Sequence, residues 1–569
     1  MSSTADASAS ASASPSGPAP APPGRPSALA PLRHPIFRAV WITSLVTNFG
    51  GLIQSVGAAW MMTSIASAQM VALVQASVTL PIMLLSLAAG ALADTVDRRR
   101  IMLAAQTFML LVSAGLAAMT WMGWITPWVL LTFTFLIGCG VAFNGPAWQA
   151  SVGDMVPRAD LAGAVTLNSM GFNMARSVGP ALGGLIVAAA GAAAAFAVNA
   201  FSYIGLLIVL FRWKPERPKQ TLPREGLLAA MAGGVRYAFL SPRVTAVLLR
   251  ALVFGVGASA VQALMPVVAR QSGGGPLVFG LLLGSFGVGA VGGALFVGQL
   301  RAKYETETIV RVAALAFAAA ALGLAYAPWL AVTLPALMIA GAGWVLVLSS
   351  FNVTVQMSVP RWVVARALAL YQMAAFGGMA GGSWLWGALA QTYGVETALS
   401  VSAGVLALCI LIGLKVPLPS TANLNMDLLR RWTEPQTALA IEPRSGPVIV
   451  SIAYRIREED IDAFLALMDE RRRIRRRDGA RQWRLMRDLA EPQVWVEKYQ
   501  TPTWLDYIRH NQRITHADAS INEGIRALHQ GPDRPVVHRM IERTTAPLAA
   551  NLHGDRHYGE PLTDPTRSS

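Results

Sequence analysis

Residues 156–191 read VPRADLAGAVTLNSMGFNMARSVGPALGGLIVAAAG, and residues 359–394 read VPRWVVARALALYQMAAFGGMAGGSWLWGALAQTYG. The two stretches align without a gap at an offset of 203 residues, and each opens on Val-Pro-Arg ahead of a long glycine-rich apolar run. The same offset carries Gly90 onto Gly293, Arg98 onto Arg301 and Arg100 onto Lys303, while HPIFRAV at 34–40 is echoed by SPRVTAV at 241–247. A shared tripeptide would mean little, but one frame repeated at distant places implies two homologous halves. Parallel halves of this kind hold a substrate between them, near the middle of a bilayer.

Outward from the repeat, the chain is a series of apolar blocks. A helix needs about 20 apolar residues to cross roughly 30 Å of hydrocarbon. Such blocks fall at 37–60, 68–92, 100–121, 126–148, 161–188 and 192–212, and again at 243–268, 275–300, 308–328, 330–351, 363–389 and 395–416. The connections test this count. Alternate ones carry Arg98, Arg99 and Arg100, then Arg158, then the Arg212–Arg236 basic stretch, then Arg301 and Lys303, then Arg361 and Arg366. The intervening ones hold no Lys or Arg apart from Arg270. Basic loops stay cytoplasmic, so both termini and the middle loop are expected inside.

Composition agrees with a bilayer as solvent. Of 569 residues, 54% are hydrophobic and 14% charged, against about 25% charged in soluble domains. The net charge of +15 sits in short basic blocks between charge-free runs, which suits anionic lipid rather than nucleic acid. Cys139 and Cys409 lie inside apolar runs without metal-ligand spacing, so neither metal nor other cofactor is expected. Residues 1–32 are Ala/Ser/Pro-rich and read as a disordered tail.

After 416 the character changes. A polar linker over 417–445 leads into VIVSIAYRI (448–456), which alternates as a strand, and EEDIDAFLALMDERRRIRRR (458–477), which has helical periodicity. RQWRLMRDLAEP and QVWVEKYQT follow as a hairpin, then TWLDYIRHNQRITHADASINEGIRALH as further helix. This βαββα order fits a ferredoxin-like α+β domain over 446–531, with a disordered tail over 532–569. The RRRIRRR run (471–477) reads as a solvated helix face. The full division is thus 1–32, a first half at 33–212, a linker at 213–240, a second half at 241–416, then the C-terminal segments.

Four groups of residues carry candidate chemistry. The first is GALADTVDRRR (90–100), where Gly90 permits close helix approach, and Asp94, at a membrane boundary, needs the cation that Arg98 supplies four residues on. The second copy has Val297 in place of Asp94. The second group is ARSVGPALGG (175–184): Pro180 bends a helix, while Gly179, Gly183 and Gly184 give it a flat packing face. The third is Arg176, an intramembrane cation and so a functional candidate by default, which would hold an anionic substrate group or kink carbonyls. The fourth comprises Asn48, Gln54, Asn173 and Gln262, which add cavity polarity or make ordinary interhelical hydrogen bonds.

The loop at 90–100 resembles the signature loop of the major facilitator superfamily, a glycine, an aspartate four on and a basic pair (Gly90, Asp94, Arg98, Arg99), with Asp97 where the family has a later glycine. Residues 175–184 resemble the superfamily's exporter glycine-proline motif. With IQSVGAAWMM (53–62) and the C-terminal α+β domain, the chain over 35–530 resembles the transmembrane secretion effector branch, which contains enterobactin-type siderophore exporters. The resemblance implies a mainly α, twelve-helix fold in two six-helix halves and alternating-access export of a siderophore, drug or other small amphipathic molecule. Asp94, Arg98, Arg99 and Arg301 would bias the conformational equilibrium, and a proton would be the coupling ion. No Asp or Glu lies mid-span, so the residues themselves do not supply that proton site. No GxxxxGK[ST] occurs either, which disfavours ATP drive.

The attached domain resembles antibiotic-biosynthesis-type monooxygenase modules in element order, with Trp483, Trp495, Tyr499 and His510 as pocket candidates. A dimerising or regulatory domain whose aromatics are core is the favoured reading, since fold does not imply function. A membrane-anchored enzyme and a lipid or lysolipid flippase of the same fold remain the rivals to an exporter.

Overall fold

The computed structural model describes residues 30–157, 160–214, 227–271, 273–326, 329–360, 362–419, 426, 429, 432, 434–439, 441–531 and 533–542. Of the expected disordered tails, 1–29 and 543–569 lie outside these residues, while Ala30–Arg33, which overlap the expected 1–32 tail, form a 3-10 turn with Pro31 buried.

The apolar blocks fold as helices whose ends are set by turn chemistry. They are α1 (Pro35–Ile65), α2 (Ala68–Thr95), α3 (Arg98–Trp121), α4 (Pro127–Met155) and α5 (Leu161–Arg212). A shorter helix, α6 (Leu227–Leu240), occupies the middle linker. The second half contains α7 (Pro242–Gln271), α8 (Pro276–Lys303), α9 (Thr306–Tyr326), α10 (Leu330–Ser358), α11 (Val364–Tyr393) and α12 (Val395–Lys415). Prolines open α1, α4 and α8, where their missing N–H costs nothing.

α5 is 52 residues long, about 78 Å if straight, far more than a bilayer's hydrocarbon. The chain reverses at Gly191, where φ is 79° and ψ 175°, a conformation open to glycine alone at little cost. α5 therefore comprises two spans, an arm before Gly191 and an arm after it. Ten helices, α5 among them, qualify as spans by length and composition. α11 is the remaining long helix; its Gly, Trp and Tyr content dilutes its hydropathy, and it is sandwiched between α2 and α7. The described residues thus provide twelve spans, six in each half.

The repeat is real, but its frame is not constant. α4 and α10 are both 29 residues long and begin at 127 and 330, 203 apart. α2 and α8 are both 28 residues long but begin at 68 and 276, 208 apart. The second half is shortened around α9, which has 21 residues against 24 in α3. Gly90 therefore pairs with Gly298, position 94 with Ala302 and Arg98 with Thr306, and the sequence pairing with Gly293, Val297 and Arg301 is corrected. Arg301 lies inside the last turn of α8 and donates to Ser349 Oγ at 2.8 Å.

The halves close on each other at the face away from the basic loops. Trp60 of α1 stacks on Phe279 of α8 at 6.4 Å. A Cβ on Gly184 would lie 2.7 Å from Pro276 O, and one on Gly387 of α11 would lie 2.6 Å from Ala72 Cβ of α2. At mid-span a Cβ on Gly287 would lie 2.4 Å from Arg176 O, and one on Gly377 would lie 2.7 Å from Met83 Sδ. Toward the basic face, α4 and α10 share no extended packing among the described residues.

The C-terminal domain is a four-stranded antiparallel sheet of β1 (Val448–Arg455), β2 (Arg481–Arg487), β3 (Val494–Thr501) and β4 (Val536–Ile541), in the order β2-β3-β1-β4. α13 (Ile461–Arg477), α14 (Trp504–Gln512) and α15 (His516–Leu528) complete it. This is the ferredoxin-like order, βαββαβ. β4 pairs with β1 along Val448–Ala453, so the domain continues past the expected end at 531, and 536–541 are no disordered tail. The 417–445 linker is also partly packed: Glu434 accepts from Trp504 Nε1 at 2.9 Å, and Trp432 lies edge-on to Tyr507.

The arginine run is not a solvated face. Arg471, Arg475 and Arg477 are buried, and only Arg472, Arg473 and Arg476 point to solvent. Glu497 on β3, fully buried, accepts from Arg471 Nε at 2.7 Å, Arg475 Nε at 3.3 Å, Tyr454 Oη at 2.9 Å and Trp483 Nε1 at 3.1 Å. Arg477 bonds Asp478 and Asp518. Two helix ends dock the domain onto the bundle: Arg477, at the end of α13, lies 4.9 Å over Tyr237 of α6, and Arg513, just after α14, 3.9 Å over Trp362 before α11.

Candidate functional site

The first arm of α5 is the element on which the sequence candidates converge. Pro180 sits within it without breaking the helix. Its glycines serve two different neighbours. Cβ atoms on Gly179 and Gly183 would meet Leu52 and Ile53 of α1 at 3.0 Å, whereas one on Gly184 would meet α8 of the other half. The motif therefore seats α5 against its own half and, through Gly184, against the opposite one.

Arg176 lies two turns nearer the basic face. Its guanidinium carbon is 5.6 Å from the Phe286 ring of α8 and 5.8 Å from the Trp344 ring of α10. Both rings belong to the second half, and they continue into a buried aromatic cluster with Phe254, Phe317 and Phe351. Among the described residues Arg176 has no carboxylate partner. Cation–π contacts are worth about 0.5–2 kcal/mol, too little to offset the dehydration of a mid-membrane cation by themselves.

The polar candidates separate. Gln54 is buried inside the first half, accepting from Ser113 Oγ of α3 at 2.9 Å and from Asn199 Nδ2 of α5. Asn199 also reaches Tyr203 Oη at 3.2 Å. Gln54 is thus an interhelical tie rather than a group facing the other half. Gln262 on α7 has a buried Nε2 with no hydrogen-bond partner, and Asn48 on α1 is half-buried. The side chains of Asp94 and Asn173 lie outside the described residues.

At the basic face, Asp97 answers for the missing glycine. It is the N-cap of α3, with extended backbone, and its carboxylate accepts from Arg99 N at 3.0 Å. A capped helix start does the turning that a flexible residue would otherwise allow. Arg98 Nη1 bonds Asp154 Oδ2 of α4 at 3.0 Å. Arg99 donates to the carbonyls of Leu210 and Phe211 at 2.8 and 2.7 Å, closing the C-terminal end of α5. The second half carries a counterpart of opposite sign: Glu307, in the first turn of α9, accepts from Leu418 N at 2.9 Å beyond α12, and binds Arg250 and Arg311.

Sequence reasoning missed Asp154, Asn199 and Glu497. Asp154 and Glu497 each lie many residues from their partners, and no spacing signal links them. In the C-terminal domain, Trp483, Tyr499 and His510 meet in one network around Glu497 and Arg475, whereas Trp495 packs on Phe464 and Arg487 with a buried Nε1 that has no hydrogen-bond partner. Neutral His510 accepts from Arg475 Nη1 at 2.7 Å, and Arg475 lies 4.5 Å over Tyr499. Burial would raise the Glu497 carboxyl, but Arg471, Arg475 and the Trp483 N–H hold it at about 2. Burial, with Arg475 beside it, pushes His510 well below the usual imidazole range.

Comparison with known proteins places this geometry. The family model described as transmembrane secretion effector matches residues 26–546. The chain belongs to the transmembrane secretion effector family, a branch of the major facilitator superfamily. The enterobactin exporter EntS of Salmonella choleraesuis is 28% identical over 65% of this chain and 89% of its own. The multidrug efflux pump Tap of Mycolicibacterium fortuitum is 24% identical over 58% of this chain and 83% of its own. Among solved structures, the nucleoside transporter NupG covers 67% of this chain and 98% of its own at 14% identity, with a TM-score of 0.54. That likeness shows the major facilitator fold. This chain is therefore a multi-pass membrane transporter by family, with a four-stranded sheet domain appended.

Proposed function

We propose that this chain exports a small amphipathic organic molecule with an anionic group, a siderophore or drug, across the bacterial inner membrane by alternating access. The observation that carries the reading is Arg176: a cation at mid-span, without a carboxylate among the described residues, resting on Phe286 and Trp344 across the boundary between the halves. A cation and two aromatic faces suit a ligand that is partly flat and apolar and partly negative. Gln262, whose buried Nε2 has no hydrogen-bond partner, is a second polar contact. The relatives' printed roles in enterobactin and drug export favour this substrate class.

In this reading the basic face is cytoplasmic, and the conformation seen is closed on the far side. Asp94, Arg98 and Arg99, with Asp154 joining Arg98, bias the inward–outward equilibrium. A proton antiported against the substrate supplies the drive. The C-terminal domain, in which Glu497, Arg471, Arg475, His510 and Trp483 are engaged with one another, is regulatory rather than enzymatic.

The test uses everted vesicles and a panel of anionic, neutral and cationic fluorescent substrates. Arg176→Gln is expected to lose anionic transport by tenfold or more while Arg176→Lys retains part of it. Equal loss in both variants across all charges would make Arg176 a helix-packing residue. Transfer of labelled lysolipid instead of the panel would select the flippase reading.

A further inference from the structure

The first half carries a cavity lined by its own helices, away from the contacts between the halves. It has a volume of about 460 Å³, is open on the outer side of α3, and lies between the last turns of α2, the first half of α3 and α4. Its wall is almost wholly apolar, including Leu92, Ala104, Phe108, Cys139 and Phe143, and its charged member is Arg100.

The shape follows from helix geometry. Arg100, Ala104 and Phe108 are spaced four apart, so they form one stripe of α3 about 12 Å long. Arg100 is at the basic end of the span, where α3 begins at Arg98. The slot therefore starts at the membrane surface and runs inward for most of one leaflet, whose hydrocarbon is about 15 Å deep. At its floor Gly140 keeps α4 tight on α3, because a Cβ there would lie 2.3 Å from Met109 Cγ. Phe108 and Ala104 stay exposed, so the slot opens to lipid and not to water.

The charge at its mouth is left over from the loop. Asp97 caps α3, Arg98 holds Asp154, and Arg99 holds the carbonyls that end α5. Arg100 is exposed and has no carboxylate partner among the described residues. An apolar slot one leaflet deep with a free cation at headgroup level has the form of a single phospholipid site.

We infer that this groove binds one anionic phospholipid of the leaflet on the basic face, its acyl chain between α3 and α4 and its phosphate on Arg100. The charge favours an anionic over a zwitterionic headgroup, and the apolar wall takes the chain of either.

The experiment is photo-crosslinking in nanodiscs of the full chain, with phosphatidylglycerol or phosphatidylcholine bearing a diazirine in the acyl chain, read by peptide mapping. Adducts are expected on peptides holding Phe108 and Cys139, with phosphatidylglycerol favoured about fivefold. Arg100→Gln, a surface change, should equalise the two lipids without removing the adducts. Ala104→Trp, checked for monodispersity, should remove both. Labelling spread evenly over all lipid-facing helices, or a headgroup preference that survives Arg100→Gln, would overturn the site. Displacement of the lipid by a transported fluorescent drug would make the groove a substrate vestibule and would equally overturn it.

Discussion

Replacing Gly184 by alanine would place a Cβ 2.7 Å from Pro276 O and 3.0 Å from Gly280 Cα. Both atoms are α8 backbone, so no side chain can rotate away. Ordinary van der Waals contact requires the α5 arm and α8 to separate by about 0.5–0.7 Å, and overpacking of this kind costs about 1–3 kcal/mol. The contact joins the two halves at the face away from the basic loops, so the cost falls on the conformation closed there and is relieved when that face opens. A bias of this size shifts a two-state equilibrium about 5–150-fold. The assay is double electron–electron resonance between labels at Trp124→Cys and Trp329→Cys, exposed positions in the α3–α4 and α9–α10 connections of opposite halves. Gly184→Ala should raise the long-distance population. Gly404→Ala, where a Cβ meets nothing within 4 Å, should not. If the two variants give the same distances as the parent protein, closure at this face does not depend on the α5–α8 crossing, and the reasoning fails.

Other consequences concern the appended domain. Glu497→Gln leaves Arg471 and Arg475 buried beside an uncharged amide, and breaking a buried ion pair costs about 3–5 kcal/mol. Hydrogen exchange at β1 and β3 amides should accelerate a hundredfold or more, with the spans unaffected; an unchanged rate would show that the network contributes little. Because His510 is held neutral by burial and Arg475, the unfolded domain binds a proton that the folded one refuses. Stability is then full above about pH 6.5 and falls as pH drops below it. Glu497, depressed from 4.5 to about 2, adds a second loss as pH falls from about 4.5 toward 2. Melting of the parent and of His510→Gln between pH 7 and 5 checks the first window, and the variant should show the flatter slope.

The spans were legible because membrane physics writes them plainly. Charge-free blocks and alternating basic connections leave few other topologies, and the cost of turning within α5 fell, as it had to, on Gly191. The frame of the repeat was less legible. Glycine-rich helices match one another at many offsets, and only helix ends reveal that Gly90 pairs with Gly298. β4 was missed because Val536–Met540 are exposed on both faces and the apolar residues of VVHRMI are interrupted by His538 and Arg539, so no apolar/polar alternation marks the strand. The arginine run misled for the converse reason: its counter-charge, Glu497, stands on a strand at an inward position that alternation assigns to an apolar residue. At the candidate site, Arg176 was visible as a cation within an apolar block, but its aromatic partners come from helices more than 100 residues away.

The central claim is energised export, and cellular accumulation tests it most directly. Cells expressing the chain should hold less of an anionic siderophore or fluorescent drug than cells lacking it, and a protonophore should abolish the difference. Equal accumulation across siderophores and drugs, with or without the protonophore, would contradict the account.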